Sequence, residues 1–206
     1  MTILIFQQNL YPQKEIVGKV EFYKSEATEF ALFRDTEDTY TKNLNKRKSK
    51  IQLFQRNSLT EIETDSTGIF KFRVSLKDSI GIIVNRLSPV FNGEFKFNYD
   101  DIKDTLKLKI SDQKLAHLLD SQREPEFQKK YSEEQARIDF KNGNRNLLLI
   151  GFDWPTEETK NKRREVSETY NVEYIYIFDP SHCKMRIMYR YNKVIRDILG
   201  IEKNVW

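Results

Sequence analysis

Hydrophobic and polar positions alternate along three stretches in the first half of the chain, as expected of strands with one buried face. The stretches are residues 69–76, 90–97 and 105–111. Their apolar positions include Phe70, Phe72, Val74, Leu76, Phe91, Phe95, Phe97, Leu106, Leu108 and Ile110. Because an antiparallel sheet commonly buries only one face, the pattern predicts a sheet with a Phe- and Leu-rich inner face and a Lys- and Arg-rich outer face.

Shorter apolar runs at residues 16–23, 28–33 and 51–55 are predicted to add further strands. Residues 34–50 are polar and without a clear period, which predicts a long loop. The region 1–110 is therefore predicted to be an antiparallel β-rich portion, and a sandwich is one arrangement that would bury its apolar faces.

The periodicity becomes helical just after residue 112, where leucines recur three and four positions apart. A second helix is predicted to begin at Ser132, because Gln135 follows three residues later and the two form a capping box. Gly143 is predicted to end this helix, because glycine readily adopts the left-handed conformation that ends many helices.

The last third of the chain is predicted as a β-α-β unit followed by a hairpin partner. Residues 146–154 are a continuous apolar run typical of a buried strand, and Pro155 favours the start of a helix. Residues 172–180 are predicted as a central strand, because both of its faces are largely apolar. After a turn, residues 184–191 are predicted as the returning strand, and residues 193–200 as a final short helix.

These patterns predict an α+β fold. The β-rich portion 1–110 is expected to pack as one unit with a smaller α/β portion, residues 111–206, since no linker separates them. A chain of 206 residues can bury a substantial core. A content of 13% aromatic residues argues against disorder.

A hairpin is predicted over residues 61–76, with its turn at Asp65–Gly68, because aspartate can accept hydrogen bonds within its own turn and glycine tolerates positive φ. The stretch "TDSTGIF" resembles the closing hairpin of carboxypeptidase-regulatory-like, transthyretin-like β-sandwich domains. The matching residues are Thr64, Asp65, Gly68 and Phe70. The resemblance covers less than a tenth of the chain, and it implies a non-catalytic binding or spacer module.

Charge and the scarcity of metal-binding residues narrow the classes of function. Lys and Arg number 35 against 31 Asp and Glu, a net charge of +4 that allows an anionic partner without requiring one. Cys183 is the single cysteine, and His117 and His182 are the two histidines. An intrachain disulfide, a Cys-based zinc site and a His-rich metal site are therefore excluded. No cofactor is expected, because the common nucleotide-cofactor and hydrolase motifs are absent.

The N-terminus is predicted as a first strand, because it lacks the basic region of a signal peptide. No apolar stretch is long enough to predict a membrane span. The expected location is cytoplasmic, and a virion component remains an alternative.

Basic residues form the candidate binding surface. The loop contributes Lys42, Lys46, Arg47, Lys48 and Lys50, the predicted strand faces contribute Lys71, Arg73, Lys96, Lys107 and Lys109, and the predicted C-terminal hairpin contributes Lys184, Arg186 and Arg190. Rows of Lys and Arg suit contact with phosphates. They equally keep an outer sheet face in solution and discourage edge pairing.

One motif points to a different chemistry. Glu94-Phe-Lys96 resembles the strand of PD-(D/E)xK nucleases, with Asp78 and Asp65 as the candidate upstream carboxylates for Mg²⁺. This spacing is weak evidence for a nuclease, because Glu-x-Lys arises by chance in a chain rich in both residues. Glu94 is therefore predicted to be a surface charge that pairs across the sheet with Lys71 or Lys107.

The preferred function is a non-catalytic binding or assembly protein of a hetero- or homo-oligomeric complex, and an enzyme is not expected. It would contact nucleic acid or an acidic protein through its basic strand faces and basic loop. The alternatives are a Mg²⁺-dependent nuclease and a purely structural subunit, for example of a phage or other virion.

Overall fold

The computed structural model of the chain describes residues 14–32, 45–56, 58–74, 78–102, 105–151, 155–178 and 180–202. The chain divides into two compact units, which are called the N-terminal and C-terminal units below. Of the described residues, those between 14 and 23 and between 45 and 112 belong to the N-terminal unit, and those between 24 and 32 and between 113 and 202 belong to the C-terminal unit. Strands dominate the first and helices the second, so the predicted α+β class is confirmed.

Seven strands are described in the N-terminal unit. They are β1 (Lys14–Tyr23), β2 (Lys50–Gln55), β3 (Ser58–Glu63), β4 (Ile69–Val74), β5 (Ile80–Val84), β6 (Gly93–Phe97) and β7 (Leu106–Ser111), with a 3-10 turn at Tyr99–Asp101. The first sheet has the order β4-β1-β7, and the second has the order β3-β2-β5-β6. Neighbouring strands are antiparallel, as predicted, except that β1 and β7 are parallel.

The inner faces of the two sheets contribute to one hydrophobic core, so the N-terminal unit is a β-sandwich. Phe70 and Phe72 are 2% and 6% exposed, whereas Lys71 between them is exposed. Phe91, Phe95 and Phe97 are partly buried against the same core. This confirms the predicted register, because a slip of one residue would exchange the two faces.

The predicted turn forms, but it does not close a hairpin. Asp65 Oδ1 accepts hydrogen bonds from the backbone N–H of Thr67 at 2.8 Å and of Ile69 at 2.9 Å. Gly68 has φ +82°, and a Cβ there would lie 2.6 Å from the Val20 carbonyl oxygen, so only glycine fits without a shift. However, β3 pairs with β2 and β4 pairs with β1. The turn therefore carries the chain from one sheet to the other.

The C-terminal unit combines helices with a two-stranded sheet. Its described helices are α1 (Glu26–Ala31), α2 (Gln113–Arg123), α3 (Pro125–Lys130), α4 (Glu133–Lys141), α5 (Glu157–Tyr170) and α6 (His182–Leu199). The strands β8 (Asn146–Ile150) and β9 (Glu173–Ile177) are parallel, which confirms the predicted β-α-β unit. No helix in the described ranges is both long and apolar enough to cross a bilayer.

Local capping explains where two of these helices begin and end. Ser132 Oγ accepts a hydrogen bond from Gln135 N at 3.0 Å, and Gly143 adopts φ +86° just after α4, as predicted. Helix α5 begins two residues after Pro155, because Thr156 provides the cap by accepting from Thr159 N at 3.2 Å.

Three sequence predictions for this unit are wrong. Residues 182–199 form one helix instead of a turn, a returning strand and a short helix, because Ile187, Tyr191 and Ile195 recur every four residues and are all buried. Within the run 28–33, which is predicted as a strand, residues 28–31 belong to helix α1 instead. Strand β9, predicted to be central, pairs only with β8 among the described strands, and Tyr176 on it is 48% exposed.

Candidate nucleic-acid interface

Glu94 and Lys96 lie exposed on the same face of β6, as the alternation predicts. Glu94 is opposite Ile83 of β5, whereas Asp78 precedes β5 by two residues. Asp78 and Ile83 are five residues apart, or roughly 16 Å at about 3.3 Å per residue. Carboxylates at the two ends of a strand cannot share a Mg²⁺ ion that holds its ligands at about 2.0–2.1 Å.

Asp78 has other partners. Its carboxylate accepts hydrogen bonds from Arg56 Nε at 2.7 Å and from Ser79 N at 2.8 Å. The Arg56 hydrogen bond, followed by that from Ser79, holds the pKa of Asp78 below its ordinary value. Within the described part of the chain, no three His, Cys, Asp or Glu side chains are grouped so that they could hold a metal ion. The nuclease arrangement with Asp78 is therefore not assembled.

The outer face of the first sheet carries a net positive charge. It presents the predicted residues Lys71, Arg73, Lys107 and Lys109. Lys19 of β1 adds a fifth cation beside Lys107. Glu15 and Glu21 lie on the same face of β1, opposite Arg73 and beside Lys109. Five cations and two anions give this face a formal charge of +3.

Lys96 does not extend this basic face, because β6 belongs to the second sheet. The outer face of the second sheet presents Lys50 and Lys96 together with Glu61, Glu63 and Glu94. Two cations and three anions give it a formal charge of −1. The predicted pairing of Glu94 with Lys71 or Lys107 is wrong for the same reason, since those lysines lie on the first sheet.

The end of the basic loop is held to the sandwich by side-chain hydrogen bonds. Asn45 Oδ1 accepts from Phe22 N at 2.8 Å, and Asn45 Nδ2 donates to Phe22 O at 3.0 Å. The backbone of Ser49 donates to Thr64 Oγ1 and accepts from Thr64 N, both at 2.9 Å. Ser49 and Thr64 are buried. The cations between these two anchors therefore project from a fixed backbone and not from a free arm.

A groove of about 650 Å³, called the end groove below, opens beside this segment at one end of the sandwich. The charged residues that line it are Arg47, Lys48, Lys50, Arg86, Glu61 and Glu63. Four cations and two anions leave a formal charge of +2. Of the other loop residues predicted to bind, Lys46 is exposed outside the lining and Lys42 lies outside the described residues.

Sequence reasoning missed Arg86 and its neighbour Leu87, which a tight turn brings to the groove. Asn85 has φ +48°, and its backbone N donates to Lys50 O at 2.8 Å. Its side-chain Oδ1 accepts from Lys50 N at 2.9 Å, and its Nδ2 donates to Ser49 Oγ at 3.2 Å. Asparagine tolerates the left-handed conformation, which is a local signal of a turn. Its pairing with a strand 35 residues away is not visible in the sequence.

The three basic residues predicted on a C-terminal hairpin lie on helix α6 instead. Arg186 and Arg190 are 8% and 6% exposed, and both donate to the fully buried Asp120. Lys184 is partly exposed, with its Nζ 3.8 Å from Glu124 Oε2. The predicted solvent-facing row therefore does not exist, because a four-residue spacing on a helix turns both arginines toward one carboxylate.

Cys183 and His182 occupy the first turn of α6. Cys183 is buried, and burial raises the pKa of its thiol above the ordinary value. Arg186 Nη2 donates to Cys183 Sγ at 3.3 Å. A buried thiol with a raised pKa is a poor nucleophile, because the thiolate is the reactive form.

Comparison of the chain with protein-family models, with curated proteins and with solved structures finds no significant match.

Proposed function

We propose that the protein is a non-catalytic nucleic-acid-binding protein that holds backbone phosphates at the rim of the end groove. One observation carries this proposal: Arg47, Lys48 and Arg86 come from segments almost 40 residues apart and converge on one groove as exposed side chains. Cations gathered in this way neutralise phosphates and release the counterions condensed on the nucleic acid.

The charges of these three side chains are available to a ligand. Within the described ranges, Arg47, Lys48 and Arg86 take part in no ion pair. Lys50 differs from them, because it lies directly opposite Glu63 in the register of β2 and β3. We therefore assign phosphate contact to the first three and only a minor role to Lys50.

The fixed backbone of the rim also favours binding. Ordering a flexible loop costs free energy on association, and a loop that is already ordered avoids much of that cost. The hydrogen bonds of Asn45, Ser49 and Asn85 hold both rim segments in place before a ligand arrives.

The basic outer face of the first sheet favours a long polyanion over a small anion as the partner. Its formal charge of +3 is carried largely by Lys71, Lys107, Lys109 and their neighbours on three adjacent strands. A polymer with a phosphate at every residue can contact cations at both the groove and the sheet.

The apolar part of the end groove favours nucleic acid over an acidic protein. Leu87 and Phe91 belong to the lining, and Leu87 is 93% exposed. Each nucleotide carries a flat apolar surface directly beside its phosphate, so one ligand can satisfy both the cations and the apolar lining.

The proposal is tested by fluorescence anisotropy with labelled DNA and RNA of about 20 nucleotides, single-stranded and duplex, in about 50 mM salt. We expect saturable binding that weakens as salt is raised. A labelled polyglutamate peptide of similar charge serves as the second probe. Binding of polyglutamate without binding of any nucleic acid would replace the proposal with an acidic protein partner, and binding of neither would refute polyanion binding altogether.

A further inference from the structure

A second groove, of about 330 Å³, lies beside the end groove on the first sheet and is called the side groove below. Its lining includes Lys19, Tyr23, Asn45 and Lys109. Phe22, which is 7% exposed, lines both grooves, so they lie close to each other at the end of β1. The two cavities are therefore neighbours within the N-terminal unit.

Each groove combines accessible apolar surface with cations. In the side groove Tyr23 is 48% exposed, and Lys19 and Lys109 lie on either side of Glu21 on the same face. In the end groove Leu87 is the most exposed large apolar residue of the described chain, at 93%. Tyr23 ends the side-groove row, opposite Ser111 and diagonal to Lys109, and an exposed aromatic ring beside a lysine is a surface on which an unpaired base can stack.

Leu87 is held in position by its turn. Ser88 N donates to Asn85 O at 2.8 Å, and Ser88 Oγ accepts from Phe91 N at 3.0 Å. Phe91 packs edge-on against Phe22, with ring centroids 5.8 Å apart. The backbone at Leu87 and the ring of Phe91 are therefore fixed, so the end groove has an ordered apolar wall beside its cations.

The distance between the grooves fits a short run of nucleotides. The segment from Asn45 in the side groove to Lys48 in the end groove spans three residues, which reach at most about 11 Å. A run of a few extended nucleotides is therefore long enough to reach from one groove to the other. A strand that crosses Asn45 would pass Arg47 and Lys48 on its way into the end groove.

We infer that the nucleic acid bound here is single-stranded, with one base stacked on Tyr23, another held against Leu87 and Phe91, and the phosphates between them on Arg47 and Lys48. This inference rests on the proposed function. A duplex keeps its bases stacked inside and presents a convex backbone, so it can reach the rim cations but not the apolar surfaces of the grooves.

The inference is tested by measuring affinities for a single strand of about 12 nucleotides, as DNA and as RNA, and for the duplex of the same sequence. We expect the single strand to bind at least about tenfold more tightly. Tyr23→Ala is expected to weaken single-strand binding by about 5- to 150-fold, the range for loss of one base–aromatic stack, and Leu87→Ser, which removes an aliphatic contact, by a smaller factor.

Matched controls come from exposed residues outside the grooves. Tyr176, like Tyr23, is 48% exposed on a strand, and Leu59 is 51% exposed on β3. Tyr176→Ala and Leu59→Ser are expected to leave binding unchanged. Tyr23→Trp keeps a stacking surface at this position. We expect the fluorescence of the new indole to be quenched when a single strand binds. Thermal melting of each variant separates lost contacts from lost folding.

Three outcomes would overturn the inference. Equal affinity for single strand and duplex, with Tyr23→Ala and Leu87→Ser unaffected, would refute the single-strand assignment while the proposed function stands. Equal losses in the groove variants and their controls would show that the grooves are not the site. Binding of no nucleic acid at all would remove both the inference and the proposed function.

Discussion

Arginine side chains have opposite roles in the two units of the molecule. In the N-terminal unit, Arg47 and Arg86 are exposed on the rim of a groove. In the C-terminal unit, Arg186 and Arg190 are buried and share one carboxylate, that of Asp120. An exposed guanidinium keeps its charge available for a partner, whereas a buried one is committed to the fold, because an uncompensated buried charge is very costly.

The difference teaches that the number of Lys and Arg residues in a segment says little about binding. "KMRIMYRY" and "IFKFRVSL" both alternate apolar and basic residues, and both are predicted as strands with a basic outer face. In β4 the alternation exposes the cations. In α6 the four-residue spacing places Arg186 and Arg190 on the buried side of a helix.

Removing Asp120 gives the largest expected effect on this comparison. Asp120→Ala leaves two buried arginines without their shared carboxylate, and we expect a loss of about 3–5 kcal/mol in the free energy of unfolding. Asp197→Ala is the matched control, because its 2.7 Å ion pair with Lys193 is 62% exposed on the aspartate side and worth about 0.3–0.5 kcal/mol. Urea denaturation measures the free energy of unfolding of both variants. Equal losses in Asp120→Ala and Asp197→Ala would contradict the role of Asp120 as the shared partner of the buried arginines.

Phe72 tests the buried face that lies behind the cations of the first sheet. Phe72 is 6% exposed in the core of the sandwich, so Phe72→Ala is expected to destabilise the protein by about 3–5 kcal/mol. Lys71→Ala, one position away on the outer face, is expected to cost less than about 0.5 kcal/mol. Denaturant titration of the pair checks the register, and a larger loss for Lys71→Ala would show that the faces are reversed.

Asn85 tests whether the rim of the end groove is built by the turn. Asn85→Ala removes the side-chain hydrogen bonds to Lys50 N and Ser49 Oγ and places alanine at φ +48°, for a combined loss of about 1–3 kcal/mol. Asn85→Gly removes the same bonds but tolerates the positive φ, so it is expected to cost less. Thermal melting compares the two, and equal melting temperatures would show that the backbone conformation contributes nothing.

His117 gives the smallest effect, a pH dependence confined to the C-terminal unit. Burial, and then the charge of Arg190, lowers its pKa below 6.5, while Glu133, 3.5 Å from Nε2, and Asp120 oppose that shift. His117 therefore binds a proton more readily in the unfolded chain than in the folded one, so stability is lost as pH falls below about 6.5. His117→Gln is expected to flatten the dependence of urea midpoint on pH between about 7 and 5. His182→Gln is the control, and a wild-type slope retained in His117→Gln would refute this role.

The sequence pattern predicts most of the N-terminal unit and less of the C-terminal one. Alternation identifies β4, β6 and β7 with their buried faces, because in a strand the burial of a side chain follows directly from its parity. It could not show that β3 and β4 belong to different sheets, since pairing is a long-range choice that Asp65 and Gly68 leave open. The strand predicted from alternation is wrong at α6, because a mixed apolar and basic run fits a period of two as well as one of 3.6.

The candidate site was predictable only in part. Arg47 and Lys48 stand out in the sequence as members of a basic cluster. Arg86 and Leu87 do not, because nothing local connects them with residues some 35 positions earlier. Asn85 makes that connection through hydrogen bonds to Ser49 and Lys50, which only the folded chain reveals.

The most direct test of the central claim is the salt dependence of nucleic-acid affinity when the rim cations are removed. Arg47→Gln, Lys48→Gln and Arg86→Gln combined are expected to weaken binding and to flatten the slope of log K against log[salt], by up to about 0.7 for each lost single-strand phosphate contact. The charge-matched control combines Lys160→Gln, Lys162→Gln and Arg164→Gln, all exposed on α5. A slope that flattens in the rim variant and not in the control is the result predicted here. An unchanged slope in the rim variant, or an equal change in both, would contradict the claim that the exposed cations of the N-terminal unit are the binding surface.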